Sequence, residues 1–192
     1  MLVAGIDVAA KTLAVLIQRE DTNAKVQEFA NTPSGHQALL KRLRQARVQR
    51  VCLEATGTYH LDLALALEGG GVAVMVVNPK AAKRFAEALL TRTKTDAVDA
   101  AVLAEFAQRM PFEPWQPPAP VTLELRAYAR RLSALTHART QTKNQLHALQ
   151  QSTTTPAVLL EELHLAIAET DARIERLRTA ALALIETAAQ LK

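Results

Sequence analysis

Val3 to Gln18 reads VAGIDVAAKTLAVLIQ, and the fold turns on how these sixteen residues are divided. VAGIDVA and TLAVLIQ are β-rich runs separated by a short turn at Ala9 to Lys11, which predicts two consecutive strands. KVQEFAN, at Lys25 to Asn31, reads as a third. A helix is predicted from Ser34 to Ala46, with Ser34 as its cap and Leu39, Leu40 and Leu43 as its apolar stripe. Beyond it the pattern alternates: a strand at Arg50 to Glu54, a helix near Tyr59 to Glu68, a strand at Val72 to Val77, a short helix after Pro79, and a helix opened by Thr95. Strands in a run, followed by strands alternating with helices, predict an α/β fold with a mixed sheet and helices packed on it.

Five of the eight prolines fall between Pro111 and Pro120. Proline fixes φ and removes a backbone donor, so 111–120 is expected to be a stiff, extended linker between a domain at 1–110 and a second at 121–192. The second region is predicted to be all-α. Leu125, Tyr128, Leu132, Leu135, Arg139, Thr142, Leu146 and Leu149 step by three and four, and so do Leu160, Leu163, Ile167, Thr170, Ile174, Leu177, Ala181, Leu184, Ala188 and Leu191. Folded back about STTTP, with Pro156 starting the second helix, these stripes form an antiparallel coiled-coil hairpin. Arg139 and Thr142 then fall near Thr170 and Ile167. Two helices bury little surface alone, so pairing with a second subunit through this hairpin is an open alternative to a self-contained one.

The chain has 192 residues, 49% of them hydrophobic, and a formal net charge of +4. That composition is globular, and a basic balance leans toward a polyanionic partner such as nucleic acid. The single cysteine, Cys52, excludes an internal disulfide and a cysteine-rich zinc site, and reads as a small buried hydrophobe in a cytoplasmic protein. Asp7 and Lys11 interrupt the apolar N-terminus, which argues against a signal peptide, and no uncharged apolar run is long enough to predict a membrane span.

Four carboxylates stand out against this background. Asp7 lies inside the first strand, where an inward-facing acid costs several kcal/mol unless a cation or donors meet it. Glu54 closes a strand before Gly57, at the kind of strand end where α/β proteins place active sites. Asp96 and Asp99, in KTDAVDA at 94–100, are about one helical turn apart and share a face. Each has an ordinary explanation taken singly: a surface aspartate, a strand-end glutamate, acids favoured by the helix dipole behind a Thr95 cap. The dipole accounts for Asp96 better than for Asp99, which still repels its neighbour unless a cation lies between them. Converging oxygen ligands suit hard divalent ions such as Mg²⁺, and two such ions about 4 Å apart serve phosphodiester chemistry.

In this order GIDVAAKTLAV, EATGTYH, NPKAAKRFAEAL and TKTDAVDA resemble the N-terminal domain of the DEDD transposases of the insertion sequence 110 family, which includes the pilin-gene inverting recombinases. The resemblance covers about 2–108 and implies a RuvC-like, ribonuclease-H-like fold. It implies that Asp7, Glu54, Asp96 and Asp99 are catalytic residues holding Mg²⁺, or Mn²⁺, as two ions. It also implies cutting and rejoining of DNA, with an element-encoded guide RNA as a further partner. Family members continue into a C-terminal domain supplying a serine nucleophile. No such domain is read here, and Ser34, Ser133 and Ser152 match no motif that carries the role. Metal binding and nucleic-acid affinity are therefore expected, and complete recombination is not.

Lys80, Lys83, Arg84, Arg92 and Lys94 lie between the second acid and the final pair, where they are expected to meet a DNA backbone, Lys94 foremost. For any one of them the plain alternative is a solvated helix face. Lys41, Arg42, Arg44, Arg47 and Arg50 lack interleaved aromatics and read as solubilising surface. Trp115 reads as a packing anchor. Two other functions remain. One is a non-catalytic dimerisation and nucleic-acid-docking module. The other is an actin-like-fold phosphotransferase, disfavoured because the glycine cluster Gly69 to Gly71 lacks the aspartate of a second phosphate loop.

Overall fold

The computed structural model describes residues 2–18, 25–55, 57–89 and 95–190. It divides into two compact units, Met1–Pro117 and Pro118–Lys192.

In the first unit, β1 (Val3–Val8), β2 (Thr12–Gln18) and β3 (Gln27–Ala30) form an antiparallel meander. Val3 pairs with Gln18 and Val8 with Leu13. On its other side β1 runs parallel to β4 (Arg50–Glu54), which runs parallel to β5 (Ala73–Val77). The order β3-β2-β1-β4-β5 is the predicted mixed sheet.

Both faces of the sheet are covered, so each strand sorts its residues by alternation. Ala4, Ile6, Val8, Val51, Leu53 and Val74 enter one core with leucines of α1 (Pro33–Gln45) and α2 (Leu61–Gly69). Val3, Cys52, Met75 and Val77 enter a second core with α3 (Pro79–Ala88) and α4 (Asp96–Arg109). Cys52 is fully buried, as expected of a small hydrophobe, and burial pushes its thiol up to about 12.

Three helix starts, those of α1, α3 and α4, follow the side-chain capping rule, with one correction. Thr32, not Ser34, caps α1: its Oγ1 accepts the Gly35 N–H at 3.2 Å, and Pro33 takes the first helical position, where no donor is needed. Asn78 caps α3 by accepting from the Lys80 N–H at 2.9 Å. Thr95 caps α4 as predicted, accepting from the Val98 N–H at 3.3 Å.

The proline segment has no helix or strand between 111 and 119, but it is fastened down. The Trp115 N–H donates to Val74 O at 2.7 Å on edge strand β5, and the indole packs against the α1/α2 core. The Arg50 guanidinium stands 4.7 Å over the Phe112 ring. The first unit therefore extends through these residues to Pro117.

The second unit is a helical hairpin of α5 (Pro120–Gln150) and α6 (Ala157–Gln190). The predicted α5 stripe, from Leu125 to Leu149, is the half-buried to buried face, with Leu135 and Leu146 fully inside. Arg139 pairs with Asp171 at 2.7 Å, one residue from the predicted neighbour Thr170, which fixes the antiparallel register. No described helix is long and apolar enough to cross a membrane.

Candidate active site

Alternation along β1 puts Asp7 on the same face as Val3, the face covered by α4. On β4 the same count puts Glu54 on the face of Cys52. The parallel register pairs Ile6 with Leu53, so one step further Asp7 and Glu54 are neighbours at the C-terminal end of adjacent strands. Both are half-buried.

The other two acids arrive on α4. Asp96 and Asp99 occupy its first turn, Asp96 exposed and Asp99 half-buried. What brings that turn over β1 is Gly5. A Cβ at this position would lie 1.9 Å from Ala100 O and 2.4 Å from Ala104 N, so α4 lies directly against the strand backbone and only glycine fits. Ala100 and Ala104, both fully buried, continue the close approach on the helix side. The crossing point is two residues before Asp7 and one residue after Asp99. Gly5 was not among the residues singled out from sequence, although a glycine inside a strand is a known mark of close backbone approach.

The electrostatics register this gathering. The Asp7 carboxyl is raised from 3.8 to about 6, first by burial and then by the negative charges of Asp99, Asp96 and Glu54, with a backbone hydrogen bond at Val8 opposing them. All four acids thus share one electrostatic neighbourhood. Their side chains are not drawn into a closed ligand cage: among the described residues, no three acid, histidine or cysteine side chains are grouped to hold one ion.

The cations divide into two sets. Lys80, Lys83 and Arg84 are exposed on α3, which begins directly after β5 ends at Val77. Lys83 lies 4.0 Å from Glu87 on its own helix. Arg92 and Lys94 lie outside the described residues. Of the basic run after β3, Arg42 donates to Gln27 Oε1 at 3.0 Å and Arg44 to Gly70 O at 2.7 Å, so these serve the fold. Tyr59 is 52% exposed, a ring on the surface rather than in the core.

The family model for the DEDD transposases of insertion sequence 110, described as "Transposase", matches residues 4–154. No curated protein matches the chain. Among solved structures, Thermus thermophilus RuvC is 19% identical, with a TM-score of 0.45 over 60% of this chain and 100% of that one. The same protein in complex with a Holliday junction substrate is 20% identical at the same TM-score, 0.45, and the same coverage of 60% and 100%. The fowlpox virus Holliday junction resolvase is 16% identical, with a TM-score of 0.39 over 56% of this chain and 96% of that one.

Proposed function

Since this chain belongs to the insertion sequence 110 family of DEDD transposases, we propose that its first unit holds Mg²⁺, as two ions, between Asp7, Glu54, Asp96 and Asp99 and acts there on DNA phosphodiesters. The observation that carries the reading is geometric: the β1/β4 register makes Asp7 and Glu54 neighbours at adjacent strand ends, and the start of α4, which bears Asp96 and Asp99, lies against β1 at Gly5. The raised Asp7 carboxyl accords with it. An all-oxygen donor set of this kind fits a hard divalent ion, and Mn²⁺ is an acceptable substitute. Held by these four acids, such ions would supply activation of an attacking oxygen and charge stabilisation of a leaving one.

The chain's own residues supply the rest. Asp7 and Glu54 come from neighbouring sheet strands, a rigid platform, while Gly5 sets the height of α4 and so the reach of Asp96 and Asp99. Lys80, Lys83 and Arg84, with Arg92 and Lys94, hold the phosphate backbone beside the acids. Branched DNA is the natural first substrate, since a transposase that cuts one duplex and joins it to another handles strands from both at once. A structured guide RNA is the second nucleic-acid partner. Through the outer face of α6, where Val158, Leu165, Leu182 and Ile185 are exposed, the hairpin pairs with a second copy.

The absence of a three-donor cage among the described residues favours one competing reading, a non-catalytic nucleic-acid-docking module. DNA binding measured with and without Mg²⁺ separates the two. The proposal expects Mg²⁺ to tighten binding of a four-way junction by the wild type and to have no such effect on Asp7→Ala. Equal binding by both proteins, with and without the ion, rules it out in favour of the docking module.

A further inference from the structure

Asn31 follows β3 and stands between the two loops that leave the acid-bearing strands. Its backbone N–H donates to Lys11 O at 2.9 Å. Its side-chain Nδ2 donates to Ala9 O at 2.9 Å, in the turn after Asp7, and to Tyr59 O at 3.1 Å, in the loop after Glu54. Both amide hydrogens are thereby used, which fixes the orientation of the group. Its Oδ1 must face the remaining neighbour, His36 Nε2, at 2.7 Å.

That pairing settles the histidine's proton as well. Oδ1 can only accept, so Nε2 carries hydrogen and donates. His36 is 4% exposed at the start of α1, held among the core residues, and its burial lowers the ring's affinity for a second proton while Asp62 opposes that shift. An Asn side chain free to rotate would hold neither carbonyl reliably; with a buried imidazole donating to its oxygen, one rotamer is selected. Gly35 permits this placement, because a Cβ there would lie 1.9 Å from Ala30 O, so the first turn of α1 sits directly against the end of β3.

We propose that Asn31 is a positioning residue of the acid site, clamping the turn after Asp7 to the loop after Glu54, with His36 locking its amide. It acts through the backbone that carries two of the four acids. The inference rests on the reading of the acids as a metal site. It extends that reading by assigning their spacing to a polar pair on the opposite side of β1 from α4.

The test uses the full chain, with Mn²⁺ as the probe. Asn31→Leu combined with His36→Leu removes the clamp without leaving a buried donor unpaired. His36→Gln keeps a donor for Asn31 and serves as the conservative rescue. The clamp predicts faster amide hydrogen exchange at Ala9 and Leu61 in the double variant, and Mn²⁺ binding about tenfold weaker, the usual cost of losing an outer-shell partner. His36→Gln should retain wild-type values for both. A core variant, Leu43→Ala, should lose stability but keep its Mn²⁺ affinity, which separates positioning from general loosening. Unchanged exchange at both loops in the double variant overturns the clamp. Faster exchange with undiminished Mn²⁺ binding overturns its positioning role. If the wild type itself binds no Mn²⁺, the metal reading of the acids fails, and exchange still decides whether the clamp exists.

Discussion

Replacing Asp7 by asparagine is predicted to stabilise the protein while removing its proposed function. The folded-state carboxyl is raised from 3.8 to about 6, so the folded chain holds that proton more tightly than the unfolded chain does. Ionisation of Asp7 therefore opposes folding. The penalty is absent well below the unfolded value, grows as pH rises between the two values, and is complete above about 6. Two units correspond to roughly 3 kcal/mol at most, and because the side chain is half-exposed a discount for solvent screening leaves about 1–2 kcal/mol. Asparagine keeps an oxygen for the hydrogen bond at Val8 but carries no charge. Without metal, Asp7→Asn should thus raise the urea midpoint by the equivalent of about 1–2 kcal/mol at pH 7.5. Most of that gain should vanish near pH 4. A variant no more stable than the wild type at pH 7.5, or equally stabilised at both pH values, would refute the claim that burial and the neighbouring acids hold the Asp7 carboxyl above its unfolded value.

Gly5→Ala is predicted to cost about 3 kcal/mol or more in urea unfolding, because its Cβ would meet backbone on α4 rather than a side chain that can move; a cost under about 0.5 kcal/mol contradicts the close approach of helix and strand. Reversing charge at Lys80, Lys83 and Arg84 together should weaken DNA binding and lower the salt slope by up to about 0.9 for each phosphate no longer neutralised, measured by fluorescence anisotropy. An unchanged slope would assign these residues to solvent. Cys52, fully buried with its thiol pushed up to about 12, should react with a thiol reagent at pH 8 only once the chain unfolds. Rapid labelling of the native protein would contradict its place in the core.

Much of this architecture was legible because local pattern and tertiary demand agree. VAGIDVA and TLAVLIQ are short apolar, β-rich runs, as strands covered on both faces require, and they form β1 and β2, paired antiparallel. The heptad positions of α5 are the ones that turn inward, since a hairpin has only one seam to bury. Local rules were ambiguous where two residues could serve. Thr32 and Ser34 are both good caps, and Pro33 decides between them by its fixed φ at the first helical position. The acids were legible as residues but not as a place. Sequence does not say that β1 and β4 run side by side, which is what makes Asp7 and Glu54 neighbours. Gly5 has meaning only once α4 is known to cross it, and Asn31 and His36 look ordinary until three loops converge on one amide. The part played by Arg92 and Lys94, which lie outside the described residues, rests on sequence alone.

The central claim is that four acids from two strands and one helix form a cation site. Calorimetric titration of Mn²⁺ into the wild type, Asp7→Ala and Asp99→Ala at pH 7.5 tests it most directly, with circular dichroism to establish that each is folded. Two ions should bind each wild-type chain, and either substitution should remove or greatly weaken that binding. Folded proteins that bind Mn²⁺ equally well in all three forms, or not at all in any, would contradict it.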